Sequence, residues 1–414
     1  MVISAGCSSG NDRLGFVNEG LERAWRRGWF SRPSLEPNAL LAAARQTTGL
    51  HDFGAEDGWR DRLDRLTASL HDEAALTPLG TTIAYGQLVA ALAGRLRATA
   101  LWQRRPEIAQ VPLRAPIIVV GQMRSGSTRM QRLLACDKRF AYTRFFESWN
   151  PLPRWNWLPI DDRRLRGWLA LRVAHWLNPR FGVIHPVRPH QADEEIGLHN
   201  VALYGAAFEA QWCIPSFARY AEALDSRPIY AEFRQHLQTI KWLRRDKGNR
   251  PWILKLPQFS QDLDAVLHTF PDARIVVLHR NGKEVVGSSA SLVHNQMMVQ
   301  SDEVDRHWIG REWLRKVALR TERTAHARDR HAVAGIDVAF TDMHQDWRAE
   351  MGKVYAMLGT PFTLDVERQM AKFMARRGHR KLQRHRYDIA DYGLTEDQIA
   401  ATLQPRDASV LAAA

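Results

Sequence analysis

Apolar residues along this chain change their spacing, and the change divides it. Between residues 14 and 105 they return at helical intervals, as in Trp59, Leu63, Leu66 and Leu70. Pro78 and Gly80 interrupt that pattern, and a longer helical stretch follows from Ile83 to Trp102. Beyond it the periodicity gives way to short apolar runs: Ile117 to Val120, Ile253 to Leu256, Ile275 to Leu278 and Ile336 to Phe340. Runs of that length read as strands buried on both faces.

Residues 252 to 292 read in order as strand, helix, strand, turn at Asn281-Gly282, and helix. That is a βαβ unit, so the sheet is expected to be parallel, with ligands beyond the carboxyl ends of its strands. The fold class is therefore α/β: a P-loop-type parallel sheet flanked by helices, with a helical N-terminal region and helical insertions. The expected organisation is a helical region over 1–108 packed on the core, an α/β core over 109–345, and C-terminal helices with a basic loop over 346–414. An insertion near 149–200 carries Trp149, Trp155, Trp157, Trp168 and Trp176, which serve either as walls of an apolar acceptor pocket or as core.

Between the first strand and its helix lies QMRSGST, residues 122 to 128. A strand, a tight glycine-containing loop and a helix start gather backbone N–H groups where the helix dipole favours negative charge. Gly121 and Gly126 have the separation of GxxxxGK[ST], but Ser127 stands in place of the lysine that reaches nucleotide phosphates, and the cation is Arg124 inside the loop. The loop suits an anion and suits Mg-ATP poorly. Lys255 ends one strand, Arg280 follows the next, and Ser288 lies in the helix after it, so three anion-binding side chains gather on one edge of the sheet.

These motifs resemble those of sulfotransferases that use 3′-phosphoadenosine-5′-phosphosulfate (PAPS). MRSGST at 123–128 is similar to their 5′-phosphosulfate loop, and the eight-residue spacing from Arg280 to Ser288 is similar to their 3′-phosphate motif. The phrases LKLPQ and FPDARIVVLHR are close to a bacterial branch. The resemblance implies that Arg124, Ser125, Gly126, Ser127 and Thr128 hold the 5′-phosphosulfate and that Arg280 and Ser288 hold the 3′-phosphate. More weakly, it puts Phe340 against adenine and offers Arg384 and Arg386, in the basic stretch 376–386, as a cover over the 3′-phosphate. A phenylalanine ending a buried strand is equally a core residue, and a charge run equally a solvated face.

In-line sulfuryl transfer develops charge on the leaving phosphate oxygen, and Arg124 and Lys255 are the cations expected to meet it. Transfer also needs a base for the acceptor hydroxyl. The histidine that cytosolic members place shortly after their lysine is absent, because Leu256, Pro257 and Gln258 follow Lys255. Tyrosylprotein and trehalose sulfotransferases use a glutamate roughly twenty residues beyond the loop, which implies Glu147 here, between Phe146 and Trp149; a structural glutamate that caps a helix or pairs with an arginine is the alternative. Asp193, Glu194, Glu195, His185 and His190 are the other candidates. Their spacing matches no metal pattern, so no metal is expected.

The formal charge of +13 is scattered rather than striped and accompanies no nucleic-acid motif, so no nucleic-acid partner is expected. Three widely spaced cysteines, Cys7, Cys136 and Cys213, fit no disulfide framework and suggest a cytoplasmic setting. No stretch reaches the roughly 18 apolar residues of a spanning helix. The expected activity is transfer of a sulfuryl group from PAPS to a hydroxyl on a small acceptor, and the tryptophan-rich segment favours an apolar one. A P-loop kinase and a non-catalytic nucleotide-binding protein are the alternatives.

Overall fold

The short apolar runs become a five-stranded parallel sheet in the computed structural model, which describes residues 8–154, 161–180, 182, 186–378 and 387–403. Its strands are β1 (Ile117–Gly121), β2 (Ala141–Tyr142), β3 (Trp252–Lys255), β4 (Arg274–His279) and β5 (Gly335–Ala339), in the order β2-β3-β1-β4-β5. β1 is central, pairing Ile117 with Ile253 on one side and with Arg274 on the other. All five of its residues are buried.

Alternation along the central strands sorts the core into two layers. Ile118, Val120, Leu254 and Val277 pack with Tyr230, Phe233, Leu237 and Ile240 of the helix Arg227–Leu243. Ile117, Val119, Ile253 and Val276 pack on the opposite face with Met130, Leu133 and Leu134, and with Met351, Val354 and Tyr355 from the C-terminal part of the chain. The sheet is thus covered on both sides, which is what its unbroken apolar runs require.

Ahead of the sheet the helices Pro37–Thr48, Trp59–Asp72 and Pro78–Arg104 build a separate apolar cluster. Trp59, Leu63, Leu66 and Leu70 do share its core, together with Trp212 and Phe217 from much later in the sequence. Pro78 starts a helix where the sequence pattern suggested a break. Thr77 caps it, its Oγ1 accepting the Gly80 N–H at 2.9 Å, and proline at the first position loses no helical hydrogen bond. Gly80 is required there because a Cβ would meet the Gln300 carbonyl oxygen at 1.9 Å. Among the described residues no helix is long and apolar enough to cross a membrane.

Candidate active site

Gly121 of β1 lies opposite Leu278 of β4, so the turns leaving these two strands open side by side on the carboxyl edge of the sheet. Two residues of the β1 turn occupy the left-handed region, Arg124 at φ 72° and Gly126 at φ 94°. That conformation suits glycine and costs an arginine of order 1–3 kcal/mol, so its surroundings must hold it. They do: Arg280 Nη1 donates to the Arg124 carbonyl oxygen at 2.7 Å, and Ser289 Oγ donates to the Met123 carbonyl oxygen at 3.3 Å.

The Arg124 side chain then crosses to the next helix, Gly282–Met297, and donates from Nε to Ser288 Oγ at 3.0 Å. The Arg280 guanidinium lies 4.3 Å from the centroid of the Phe340 ring and pairs with Glu284 at 2.7 Å. Behind the turn begins the helix Ser127–Leu134, whose first N–H groups have no acceptor within the helix. Ser125 Oγ is buried and lacks a hydrogen-bond partner among the described residues. Loop, helix start, Arg280 and Ser288 form one continuous donor surface for an anion carrying more than one negative group.

Lys255 ends β3 beside Val119 of β1. It is almost wholly buried, and its Nζ bonds the carboxylate of Glu194. The Lys255 N–H donates to Glu195 Oε2 at 2.8 Å, and burial pushes the Glu195 carboxyl well above the usual carboxylate range. The segment carrying Glu194 is fixed by the helix that starts at the loop: Arg132 donates to the carbonyl oxygens of Pro186 and Ala192, and Gln131 to that of Asp193. The anion loop and the lysine–glutamate pair therefore share one rigid support.

Glu147 stands apart from that pair. It is fully buried, Arg244 donates from Nε to its Oε1 at 2.7 Å, and a second Arg244 nitrogen bonds Oε2. Oε2 also accepts the Arg144 N–H at 3.0 Å, closing a capping box at the helix Phe145–Trp149. Both oxygens are committed to arginine and helix end, an arrangement that fixes the start of this helix. Phe340 departs from one of its two expected roles, being half-buried rather than core. Its ring lies between the guanidiniums of Arg280 and Arg129, 4.3 and 5.0 Å from the centroid, and backs Gly126, where a Cβ would come within 2.8 Å.

Asp193 is buried, while His190 is exposed with its ring edge-on to Phe146 at 5.5 Å. Arg384, Arg386 and His185 lie outside the described residues, as do Trp155 and Trp157. Trp168 and Trp176 turn outward, about half exposed, on the helix Asp162–Leu177. No group of His, Cys, Asp or Glu among the described residues has the arrangement to hold a metal. The sequence pattern missed Arg129 and Glu284. Each lies one helical turn from a motif residue, and that spacing was the available signal.

A model of the Sulfotransferase family matches residues 116–364, from β1 through the sheet and beyond. The chain belongs to that family. Its fold is similar to the crystal structure of sulfotransferase STF1 from Mycobacterium tuberculosis H37Rv, with a TM-score of 0.76, 27% identity, and coverage of 89% of this chain and 98% of that one. It is also similar in fold to sulfotransferase STF9 from Mycobacterium avium, with a TM-score of 0.77, 24% identity, and coverage of 88% and 94%. Comparison with curated proteins gives no match. In this sulfotransferase the matched region contains the loop, the Lys255–Glu194 pair and the Arg280–Ser288 motif.

Proposed function

We propose that this sulfotransferase moves a sulfuryl group from PAPS to a hydroxyl of a small acceptor, with Glu194 rather than Glu147 as the base. The observation that carries the donor assignment is the join between Arg124, Ser288 and Arg280, which sets two anion-binding motifs side by side. A 3′-phosphate and a 5′-phosphosulfate need two such sites. Arg124, the Ser125 hydroxyl, Gly126, Ser127 and Thr128 hold the 5′ group; Arg280 and Ser288 hold the 3′ group. Arginine offers a phosphate a planar fork of donors, and the serine hydroxyls add single ones.

Chemistry falls to the buried end of β3. The Lys255 ammonium and Arg124 meet the charge that grows on the leaving phosphate oxygen, in a site mostly closed to water where such contacts are strong. Glu194, the most exposed of the three clustered acids and the one on the Lys255 ammonium, takes the acceptor's proton. Phe340 supports the arginines rather than meeting adenine directly. Arg384 and Arg386 are kept as a cover for the 3′-phosphate because Tyr387, next in the chain, donates to the Glu284 carbonyl oxygen at 3.1 Å beside Arg280.

Thermal shift with 3′-phosphoadenosine-5′-phosphate against AMP, ADP and ATP tests the donor. The 3′-phosphorylated nucleotide should give the largest shift, and release of that product from PAPS should depend on an acceptor. An equal response to ADP sinks the proposal.

A further inference from the structure

Away from the loop, cations converge a second time. A pocket of about 120 Å³ opens between the helices Pro78–Arg104 and Ile196–Val201 and the segment 149–154. Arg97, Arg154 and Arg166 line it, with Trp149, Leu152 and Asn200 beside them. Arg166 is already committed: it donates to Asp162 at 2.8 Å, to Asn150 Oδ1 at 2.6 Å and to the Leu152 carbonyl oxygen at 2.7 Å. Asp162 also accepts the Arg154 N–H at 3.1 Å. It is the one carboxylate among the described residues acting on all three guanidiniums.

Three positive groups therefore face one negative group whose oxygens are in use. The six residues between Arg154 and Asp161, WNWLPI, add no acid. Partial burial lowers the proton affinity of Arg97 and Arg166, Arg166 down to about 10, and the charge of Arg154 adds to the effect at both. Arg97 and Arg166 are half-buried and Arg154 is exposed, so the mutual repulsion of the three charges is modest, and an anion joining them lowers it.

The pocket is also close to the chemistry. Gly197 forms part of its wall, three residues along the chain from Glu194, so the two backbones are at most about 11 Å apart. Gly197 is pinned in place, its N–H donating to Ser148 Oγ at 3.0 Å, where any Cβ would strike the Ser148 and Trp149 backbone. A molecule that meets Glu194 with its hydroxyl and the arginines with its other end would have to span that separation.

We propose that this pocket holds an oxyanion carried by the acceptor itself: a carboxylate, a phosphate ester or a sulfate ester on the molecule whose hydroxyl is sulfated. The assignment rests on the sulfotransferase reading above and replaces an apolar acceptor with an anionic one. Arg97 and Arg154 grip the oxyanion, Arg166 frames it, and Trp149 and Leu152 receive the adjoining carbon skeleton.

The test titrates inorganic phosphate and phenyl phosphate calorimetrically into the full chain with 3′-phosphoadenosine-5′-phosphate saturating the nucleotide sites. Wild type should bind phenyl phosphate roughly tenfold more tightly than phosphate, and R97A/R154A should lose at least roughly tenfold for both, with nucleotide affinity unchanged. Undiminished binding to the variant, or no binding to wild type, overturns the site. Equal affinity for the two probes in wild type overturns the acceptor assignment and leaves a site for a free anion. Arg154→Gln, at an exposed position, gives the same readout should the double variant not fold. If the nucleotide itself does not bind, the donor reading fails separately, and the titrations without nucleotide still report on Arg97 and Arg154.

Discussion

Arg124 Nε donates to Ser288 Oγ at 3.0 Å, and the Arg124 carbonyl oxygen accepts from Arg280 at 2.7 Å. The 5′ loop and the 3′ motif are consequently one hydrogen-bonded unit, although 156 positions separate Arg124 from Arg280. Loss of Arg280 should act twice. It removes the fork for the 3′-phosphate and releases the strained backbone of Arg124.

Arg280→Ala should therefore weaken 3′-phosphoadenosine-5′-phosphate by roughly ten- to a hundredfold, the value of one charge-assisted contact, and AMP by less. Arg280→Lys should restore little, because the lysine cannot serve both the carbonyl and a phosphate in the same plane. Titration calorimetry with both nucleotides reads the difference. Equal losses would reduce Arg280 to a prop for the loop.

Glu147 and Glu194 separate by what their neutralisation does to transfer in the folded protein. Glu147→Gln leaves the partly buried Arg244 cation without its carboxylate and should destabilise the protein by about 3–5 kcal/mol, seen as a lower melting temperature. Glu194→Gln leaves the buried Lys255 ammonium without its carboxylate and should lower the melting temperature as well, but the folded variant should bind nucleotide normally and lose transfer by roughly a hundredfold to ten-thousandfold. A Glu147→Gln enzyme that is stable but inactive would return the base to Glu147.

Gly126→Ala tests the loop backbone. The position has φ 94°, and an added Cβ would lie 2.8 Å from Cδ2 of Phe340. Nucleotide affinity should fall at least roughly tenfold. Adding Phe340→Leu removes the collision but not the backbone penalty, so recovery should be partial; full recovery would show that the clash alone matters.

How much of this was legible in the sequence depends on the range of the interactions. Ile117 to Val120 and Ile275 to Leu278 announced their strands because burial on both faces demands an unbroken apolar run. The loop was legible because its glycine spacing and helix start are local. Which arginine engages Glu147 was not, because Arg244 is 97 positions away and nothing in the intervening residues signals the pairing. Phe340 hid for the same reason: its two arginine neighbours come from the helix after β1 and the turn after β4, which only the sheet brings together. Pro78 was misread because proline ends a helix and begins one with equal force, and Thr77 decides which.

Behind Lys255 the chain is anchored by Asp262, whose Oδ2 accepts from Tyr204 at 2.9 Å, Tyr230 at 3.1 Å and Gln258 at 3.1 Å. The carboxyl is fully buried, and burial raises it from an ordinary 3.8 to about 6, against the lowering effect of those three donors. Between those two values the folded protein holds a proton that the unfolded chain has released. The sign follows: Asp262 contributes most stability below about pH 4, and that contribution is lost as pH rises through about 6. Asp262→Asn keeps an oxygen acceptor and carries no charge, so it removes this dependence. The urea stability of wild type minus that of the variant should fall by on the order of 3 kcal/mol between pH 4 and pH 7. Because the network lies behind β3 rather than at the anion surface, turnover of the folded variant at pH 7 should stay within a few-fold of wild type. Parallel stability profiles for the two proteins would mean that Asp262 stays ionised when buried, held so by its two tyrosines and Gln258.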